Sequence, residues 1–391
     1  MFKALIDASV RFRWFVVLAV AIVATLGLFE LTRLPIDAVP DITNRQVQIT
    51  TVAPALAPEQ IERQVTYPLE TAMAGIPGLQ STRSLSRNGF SQITVIFTDQ
   101  TDIYFARQQV AERLRQAAES LPEGVEPNLS AITTGLGEVL MWTVDYLPFS
   151  PSTTVATGKP GFQVDGAYLT PEGERLTTPE QRATYLRTVQ DWIIAPQMRT
   201  SPGLAGVDVN GGYVKEYAVR PDASALTRYG LDLDDLVLAL DRANTQAGAG
   251  YVQRAGEALV VRTDALATTI DDLAQSPVVN RSGLVVRVAD VAVVEIGQAP
   301  RLGGASRDGH EAVLGTALMR AGENSRTVAQ SAAERLEQVG ETLPPGIVAA
   351  PVLNRSDLVN STINTVARNL TEGALFVIVV LFLLLGNVRA A

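Results

Sequence analysis

Ala111–Val125 reads AERLRQAAESLPEGV, and Ala333–Ile347 reads AERLEQVGETLPPGI. Nine of the fifteen positions are identical, and both stretches close an amphipathic helical pattern with Leu-Pro-x-Gly. Chance likeness between amphipathic helices does not extend to a shared stop, so the pair marks an internal duplication. Outward from the first stretch, Gln46–Val52 alternates as a β-branched strand. Pro58–Met73 reads as a helix with Pro58 in its first turn and Ile61, Val65 and Leu69 on one face; Pro68 predicts a kink. Gly75-Ile76-Pro77-Gly78 stops it. Gln80–Ser86 and Ser91–Phe97 are strands joined at Asn88-Gly89, a hairpin signal, and a helix follows from Asp102 to Ser120. A weaker echo pairs Pro77-Gly78-Leu79 with Pro202-Gly203-Leu204. The simplest architecture is two copies of a ferredoxin-like βαββαβ unit. The first covers residues 33–134 and the second 135–202 and 269–352, with a subdomain inserted at 203–268.

The insertion has strand-like Val207–Val209 and Glu216–Arg220, an amphipathic helix over Asp232–Asn244, and a small-residue stretch from Thr245 to Tyr251. A long hairpin with a tip too polar to bury on its own chain docks on a partner. Gly248, Gly250 and Tyr251 are therefore expected at a contact between protomers. Leu147–Glu180, with its glycines and two Pro-Glu pairs, reads as a solvated excursion.

Trp14–Leu31 is apolar except for Thr25 and Glu30, and eighteen residues make roughly 27 Å of helix, enough for a bilayer core. The run is longer than the apolar part of a cleaved signal and Leu28-Phe29-Glu30-Leu31 is a poor cleavage context, so an uncleaved span over 14–32 is expected. A second span is expected over 370–388, built on apolar Ala374–Leu385, with Arg368 and Glu372 spaced i,i+4 at its start and a connector over 353–369. Lys3, Arg11 and Arg13 precede the first span and Arg389 follows the second. Both ends (1–13 and 389–391) then lie in the cytoplasm, and the long middle is periplasmic. The fold class is an α+β membrane protein, two transmembrane helices flanking two ferredoxin-like units, the second carrying the inserted subdomain.

A hydrophobic fraction of 47% says that most of the chain faces water, and a net charge of −9 argues against a nucleic-acid surface. There is no cysteine and one histidine, His310, so disulfides, thiolate sites and His-based triads are excluded. An isolated histidine is ordinarily a surface residue without a ligand role. With no nucleophile–base pair to assemble beyond Ser–Lys or carboxylate schemes lacking a motif, an enzyme is not expected. A two-span sensor or polysaccharide-assembly protein would need a cytoplasmic output domain or heptads, and neither is present.

The run Leu34-Pro35-Ile36-Asp37-Ala38-Val39-Pro40-Asp41-Ile42-Thr43-Asn44, with Val65-Thr66-Tyr67-Pro68-Leu69-Glu70 and Arg83-Ser84-Leu85-Ser86-Arg87-Asn88-Gly89, resembles the resistance–nodulation–division pumps. Thr101-Asp102-Ile103-Tyr104-Phe105-Ala106-Arg107 and Leu186-Arg187-Thr188-Val189-Gln190-Asp191-Trp192 are similar to the heavy-metal-efflux branch. Leu385-Gly386-Asn387-Val388-Arg389 looks like the turn after that family's second span. The resemblance implies an inner-membrane homotrimer working with a periplasmic adaptor and an outer-membrane channel, exporting a divalent metal ion at the expense of the proton gradient, with no permanently bound cofactor and no nucleic-acid partner. It also names the inserted segment a docking subdomain. The family's chains are longer, and their proton-relay acids lie on a later span. Here Glu30 and Glu372 stand near span ends, so this piece alone is not expected to pump.

For the metal, Met1, Met73, Met141, Met198 and Met319 are scattered without pairing, so copper(I) finds no soft site. Carboxylates remain. Glu138, in Thr133-Thr134-Gly135-Leu136-Gly137-Glu138-Val139, opens the first strand of the second unit, where zinc, cobalt and cadmium pumps of the resembling branch carry an acid. Asp191 lies on the following helix, whose apolar side is marked by Tyr185, Val189 and Trp192, and resembles a second acid of the cleft. These two argue for a metal pump over a multidrug one.

Overall fold

The computed structural model describes residues 11–33, 43–54, 56–150, 154–244, 248–254, 257–262, 266–281, 284–301 and 303–385. Its first long helix, α1, runs Arg13–Arg33. Strand β1 (Gln46–Val52) sends Val47 and Ile49 into a core, while helix α2 (residues 58–73) supplies Ile61, Val65 and Leu69 to the same core. Strands β2 (Leu79–Arg87) and β3 (Phe90–Phe97), helix α3 (Ile103–Ala118) and strand β4 (Pro127–Leu129) complete the unit. The sheet order is β2-β3-β1-β4, antiparallel throughout. Gly89 turns the β2–β3 hairpin at φ +66°, and a Cβ there would lie 2.9 Å from Pro54 Cα, so only glycine fits.

The second copy opens with β5 (Glu138–Tyr146). Three short strands follow, β6 (Gly161–Phe162), β7 (Tyr168–Leu169) and β8 (Arg175–Leu176), then helix α4 (residues 179–198) and β9 (Leu204–Asn210). The chain then leaves on an excursion through β10 (Lys215–Pro221), α5 (Ala223–Tyr229), α6 (Leu233–Ala243), β11 (Gly248–Arg254) and β12 (Glu257–Arg262). It continues through α7 (Ile270–Gln275), β13 (Pro277–Arg281), β14 (Leu284–Arg287), α8 (Val288–Val291) and β15 (Ala292–Gln298). The copy resumes with β16 (Ala305–Arg307), β17 (His310–Met319), α9 (Ser325–Gly340) and β18 (Ile347–Asn354). In this sheet β9 and β16 lie along one side of β17, followed by β5 and β18. The order β9-β17-β5-β18 repeats that of the first sheet, and α3 and α9, the helices of the repeated sequence, hold equivalent places.

The sheets correct the expected limits of the insertion. Leu204–Asn210 pairs with β17, from Leu204 opposite Met319 to Asn210 opposite Leu314, so it belongs to the second sheet and not to a segment beginning at 203. Residues 270–298 stay with the insertion, because β10 and β15 pair along seven residues and Val286, Val288 and Val291 share a separate core with Leu226 and Leu236. The excursion therefore leaves after Asn210 and returns at Ala305. The Pro-Gly-Leu echo marks where a strand starts, and the partner of that strand lies more than a hundred residues on. Gly248, Gly250 and Tyr251 fall on β11, where Tyr251 opposes Val260; their side chains lie outside the described residues.

Two further expectations change. The stretch after Leu147 is packed rather than solvated: Phe162, Tyr168 and Leu176 are buried, and the Tyr168 ring stacks edge-on against Tyr146 at 4.9 Å and Phe162 at 5.5 Å. The Tyr168 hydroxyl donates to the Pro345 carbonyl at 2.9 Å, which ties this excursion to the turn before β18. The connector expected over 353–369 is mostly helix, because α10 (Arg355–Leu385) starts directly from β18.

Among the described residues one helix, α10, is long and apolar enough to cross a membrane. The apolar part of α1 described in full, Arg13–Gly27, is shorter. Arg368 and Glu372 pair at 2.8 Å, as their spacing predicts. The resembling run Leu34–Asn44 falls largely on residues 34–42, outside the described residues, as do 386–391.

Candidate functional site

Proline shapes the helix that carries Asp191. Pro196 has no N–H and its ring crowds the carbonyl four residues back, so a regular α-turn cannot pass through it unaltered. The turn before it, Gln190–Ile194, is a π-turn, with the Ala195 N–H donating to the Gln190 carbonyl. Helix α2 does the same before Pro68: Glu62–Thr66 is a π-turn and the Tyr67 N–H donates to the Glu62 carbonyl. The kink expected at Pro68 thus takes the form of one extra residue in a turn.

That extra residue rotates the following side chains by about 100°. Ile194, and not Trp192, follows Val189 on the buried side of α4, and Trp192 is 80% exposed. The apolar stripe expected through Trp192 is corrected accordingly. Gln190 is instead fully buried, and its Oε1 accepts from Trp142 Nε1 at 2.9 Å. In α2 the π-turn buries Thr66, whose hydroxyl lies 2.7 Å from that of Ser91 and 2.9 Å from that of Ser86. Each copy therefore pins a π-turn to its sheet with a polar side chain.

Asp191 sits one residue beyond this lock. Its Oδ2 accepts from Arg187 Nε at 2.8 Å, with both side chains partly buried, and Arg187 Nη1 donates to the Gly211 carbonyl at 3.0 Å. Gly211 and Gly212 are the first residues after β9, and a Cβ on Gly212 would lie 2.8 Å from the Arg187 Cβ. The guanidinium is thus held between α4 and the root of the excursion. Beside it opens a cavity of about 290 Å³ lined by Asp191, Trp192, Val214 and Tyr217 among others. The neighbouring cavity, about 280 Å³, is bordered by the ion pairs Lys215–Glu174 at 2.8 Å and Arg220–Glu295 at 2.7 Å.

Glu138 stands elsewhere. It is exposed at the first position of β5, opposite Leu318. The residues before it are fixed by backbone bonds: Gly137 N–H donates to Thr134 O, Met319 N–H to Gly137 O, and Arg355 Nη1 to Leu136 O. Glu138 lies four positions, roughly 13 Å of strand, before Trp142, the partner of Gln190. Among the described residues no group of three His, Asp or Glu is placed to hold a metal, so Glu138 and Asp191 share no such group. His310 is exposed at the β16–β17 turn, opposite Arg307. Nearby Asp145 has its carboxyl raised above the usual range, first by burial, against the pull of the Tyr146 N–H, His310 and Arg307. The residue that sequence reading missed is Arg187, although its position four before Asp191 is an i,i+4 pairing signal. Gln190 carried no such signal, because the π-turn decides its direction.

The model of the AcrB/AcrD/AcrF family matches residues 5–391. All of the chain aligns at 51% identity with the nickel-cobalt-cadmium resistance protein NccA of Alcaligenes xylosoxydans xylosoxydans, and at 45% with the cobalt-zinc-cadmium resistance protein CzcA of Cupriavidus metallidurans. It spans 36% and 35% of those proteins, about a third of their length. The crystal structure of a heavy metal efflux pump superposes with a TM-score of 0.80 at 29% identity, over 96% of this chain and 35% of that one. Matched along nearly its whole length in sequence and in fold, the chain belongs to the AcrB/AcrD/AcrF family, within the heavy-metal-efflux branch of the resistance–nodulation–division transporters.

Proposed function

We propose that this chain is part of a secondary transporter subunit, not an enzyme, that exports a divalent borderline metal ion, zinc, cobalt or cadmium, in exchange for protons. The observation that carries the reading is its end-to-end likeness to two metal-resistance proteins whose names share cobalt and cadmium. The whole pump sits in the inner membrane as a homotrimer, joined to a periplasmic adaptor and an outer-membrane channel. Helices α1 and α10 serve as its first two spans, with Lys3, Arg11, Arg13 and Arg389 on the cytoplasmic side. The two repeated α/β units act as ferredoxin-like porter subdomains and the excursion as a docking subdomain. Its β11–β12 hairpin, with Gly248, Gly250 and Tyr251, reaches a neighbouring protomer.

Glu138 and Asp191 act as separate, weak carboxylate stations for the ion. Zinc-type ions accept carboxylate oxygens at about 2.0–2.2 Å, and a site of few oxygen ligands releases its cargo readily. Scattered methionines and the lack of cysteine disfavour copper(I). The test places this segment in a complete pump and replaces Glu138 by glutamine, which keeps shape and removes charge. Zinc and cobalt resistance should fall at unchanged expression while copper resistance holds. Unaltered zinc and cobalt resistance would remove Glu138 from the path, and loss of copper resistance alone would reverse the metal assignment.

A further inference from the structure

We infer that Arg187 is a tethered counter-cation that an incoming divalent ion must displace from Asp191, and that it thereby sets both the charge selectivity and the release of ion at this carboxylate. The inference rests on the reading of Asp191 as a metal ligand. Three observations carry it. One oxygen of the Asp191 carboxylate, Oδ2, already accepts from Arg187 Nε at 2.8 Å, and the positive charge beside it opposes a second cation. The guanidinium has a second anchor, the Gly211 carbonyl at 3.0 Å, so it stays in place when the carboxylate bond breaks. The pair borders the cavity of about 290 Å³ that Trp192, Val214 and Tyr217 line, so an ion has a route to it.

The physics follows from charge. A monovalent ion replacing the guanidinium gains no extra Coulomb attraction, and it gives up freedom that a tethered group has already lost. A divalent ion brings twice the charge and overcomes the exchange. Once the ion is bound, the guanidinium remains beside it as a repelling charge, held at the Gly211 carbonyl, and it recaptures Asp191 when the ion leaves. A site built this way rejects sodium and potassium, and it holds its ion loosely enough to pass it on.

The test uses the full chain in detergent and cobalt(II) chloride alone as the probe, with affinity read by equilibrium dialysis at low ionic strength. Arg187→Gln removes the charge and the Gly211 bond and leaves a neutral amide where Nε stands beside Asp191; near-ultraviolet circular dichroism checks that the fold is retained. Cobalt should bind about threefold more tightly to this variant, in keeping with the strength of a solvent-screened ion pair. Arg187→Lys, with its charge restored, should bind close to wild type. Adding Asp191→Asn to Arg187→Gln should abolish the gain. Equal affinity of wild type and Arg187→Gln, with Asp191→Asn still weakening binding, would overturn the counter-cation role and leave Asp191 as a ligand. A gain that survives Asp191→Asn would also overturn it, since the charge would then act at another carboxylate. Binding indifferent to Asp191→Asn in both backgrounds would remove Asp191 itself from the metal path.

Discussion

Gly315 and Trp142 face each other across β17 and β5, and their side of the sheet has no room for one more carbon. A Cβ on Gly315 would lie 2.3 Å from the indole Cε2. The indole cannot step aside freely, because its Nε1 is bound to the buried Gln190 of the π-turn. Gly315→Ala should therefore destabilise the chain by about 2 kcal/mol through overpacking, seen as a lower denaturant midpoint at unchanged slope. An unmoved midpoint would mean that the indole has another place to go. At this scale the sequence was informative about charge and poor about direction. The spacing of Arg187 and Asp191 announces a pair, and Glu138 is read correctly as the opening of a strand. That Trp192 faces out and Gln190 faces in is not written in the residues, since both follow from a turn of altered width.

The element that most departs from periodic reading is the proline-broken helix, and it occurs twice. Each copy starts at a Pro-Glu-Gln triplet, Pro58-Glu59-Gln60 or Pro179-Glu180-Gln181, whose glutamine Oε1 accepts the N-cap N–H. Each copy then widens to a π-turn just before an internal proline. If the π-turn in α4 is one surplus residue that accommodates Pro196, removing Trp192 together with Pro196→Ala should return the helix to α-geometry and keep Ile194, Ala195 and Met198 on the core. The expected loss is about 1–2 kcal/mol, a few degrees in thermal midpoint. Removing Arg113 from α3, an α-helix throughout, should cost at least about twice as much, because Leu114 and Ala117 turn away from the first core. Equal losses from the two deletions would show that the π-turn is integral to the fold rather than a tolerated insertion.

At the scale of the molecule, three hydrophobic cores account for the described α/β body, and the excursion between Asn210 and Ala305 owns one of them. In the first copy β2 runs unbroken to the Asn88-Gly89 turn, whereas here the excursion interrupts the corresponding strand between β9 and β16, ahead of the equivalent turn at Asp308-Gly309. Replacing residues 211–304 by a single glycine, which lets β9 run on into β16 beside β17, should then leave the other two cores folded and delete one unfolding transition, measured by calorimetry in detergent. Collapse of the whole body on excision would show that the excursion supports the second sheet and does more than ride on it. The duplication, the strand–helix order of the first unit, the apolar helix near the end and the branch of the family were all determined by the sequence, because local periodicity, turn chemistry and repeated residues are properties of neighbours in the chain. What only the tertiary structure decided are the limits of the excursion, the aromatic packing of Tyr168 against Tyr146, and the bracing of the Arg187 guanidinium on the Gly211 carbonyl. Each of these depends on contacts between residues far apart in sequence, or on the width of one turn, and no periodicity along the chain records either.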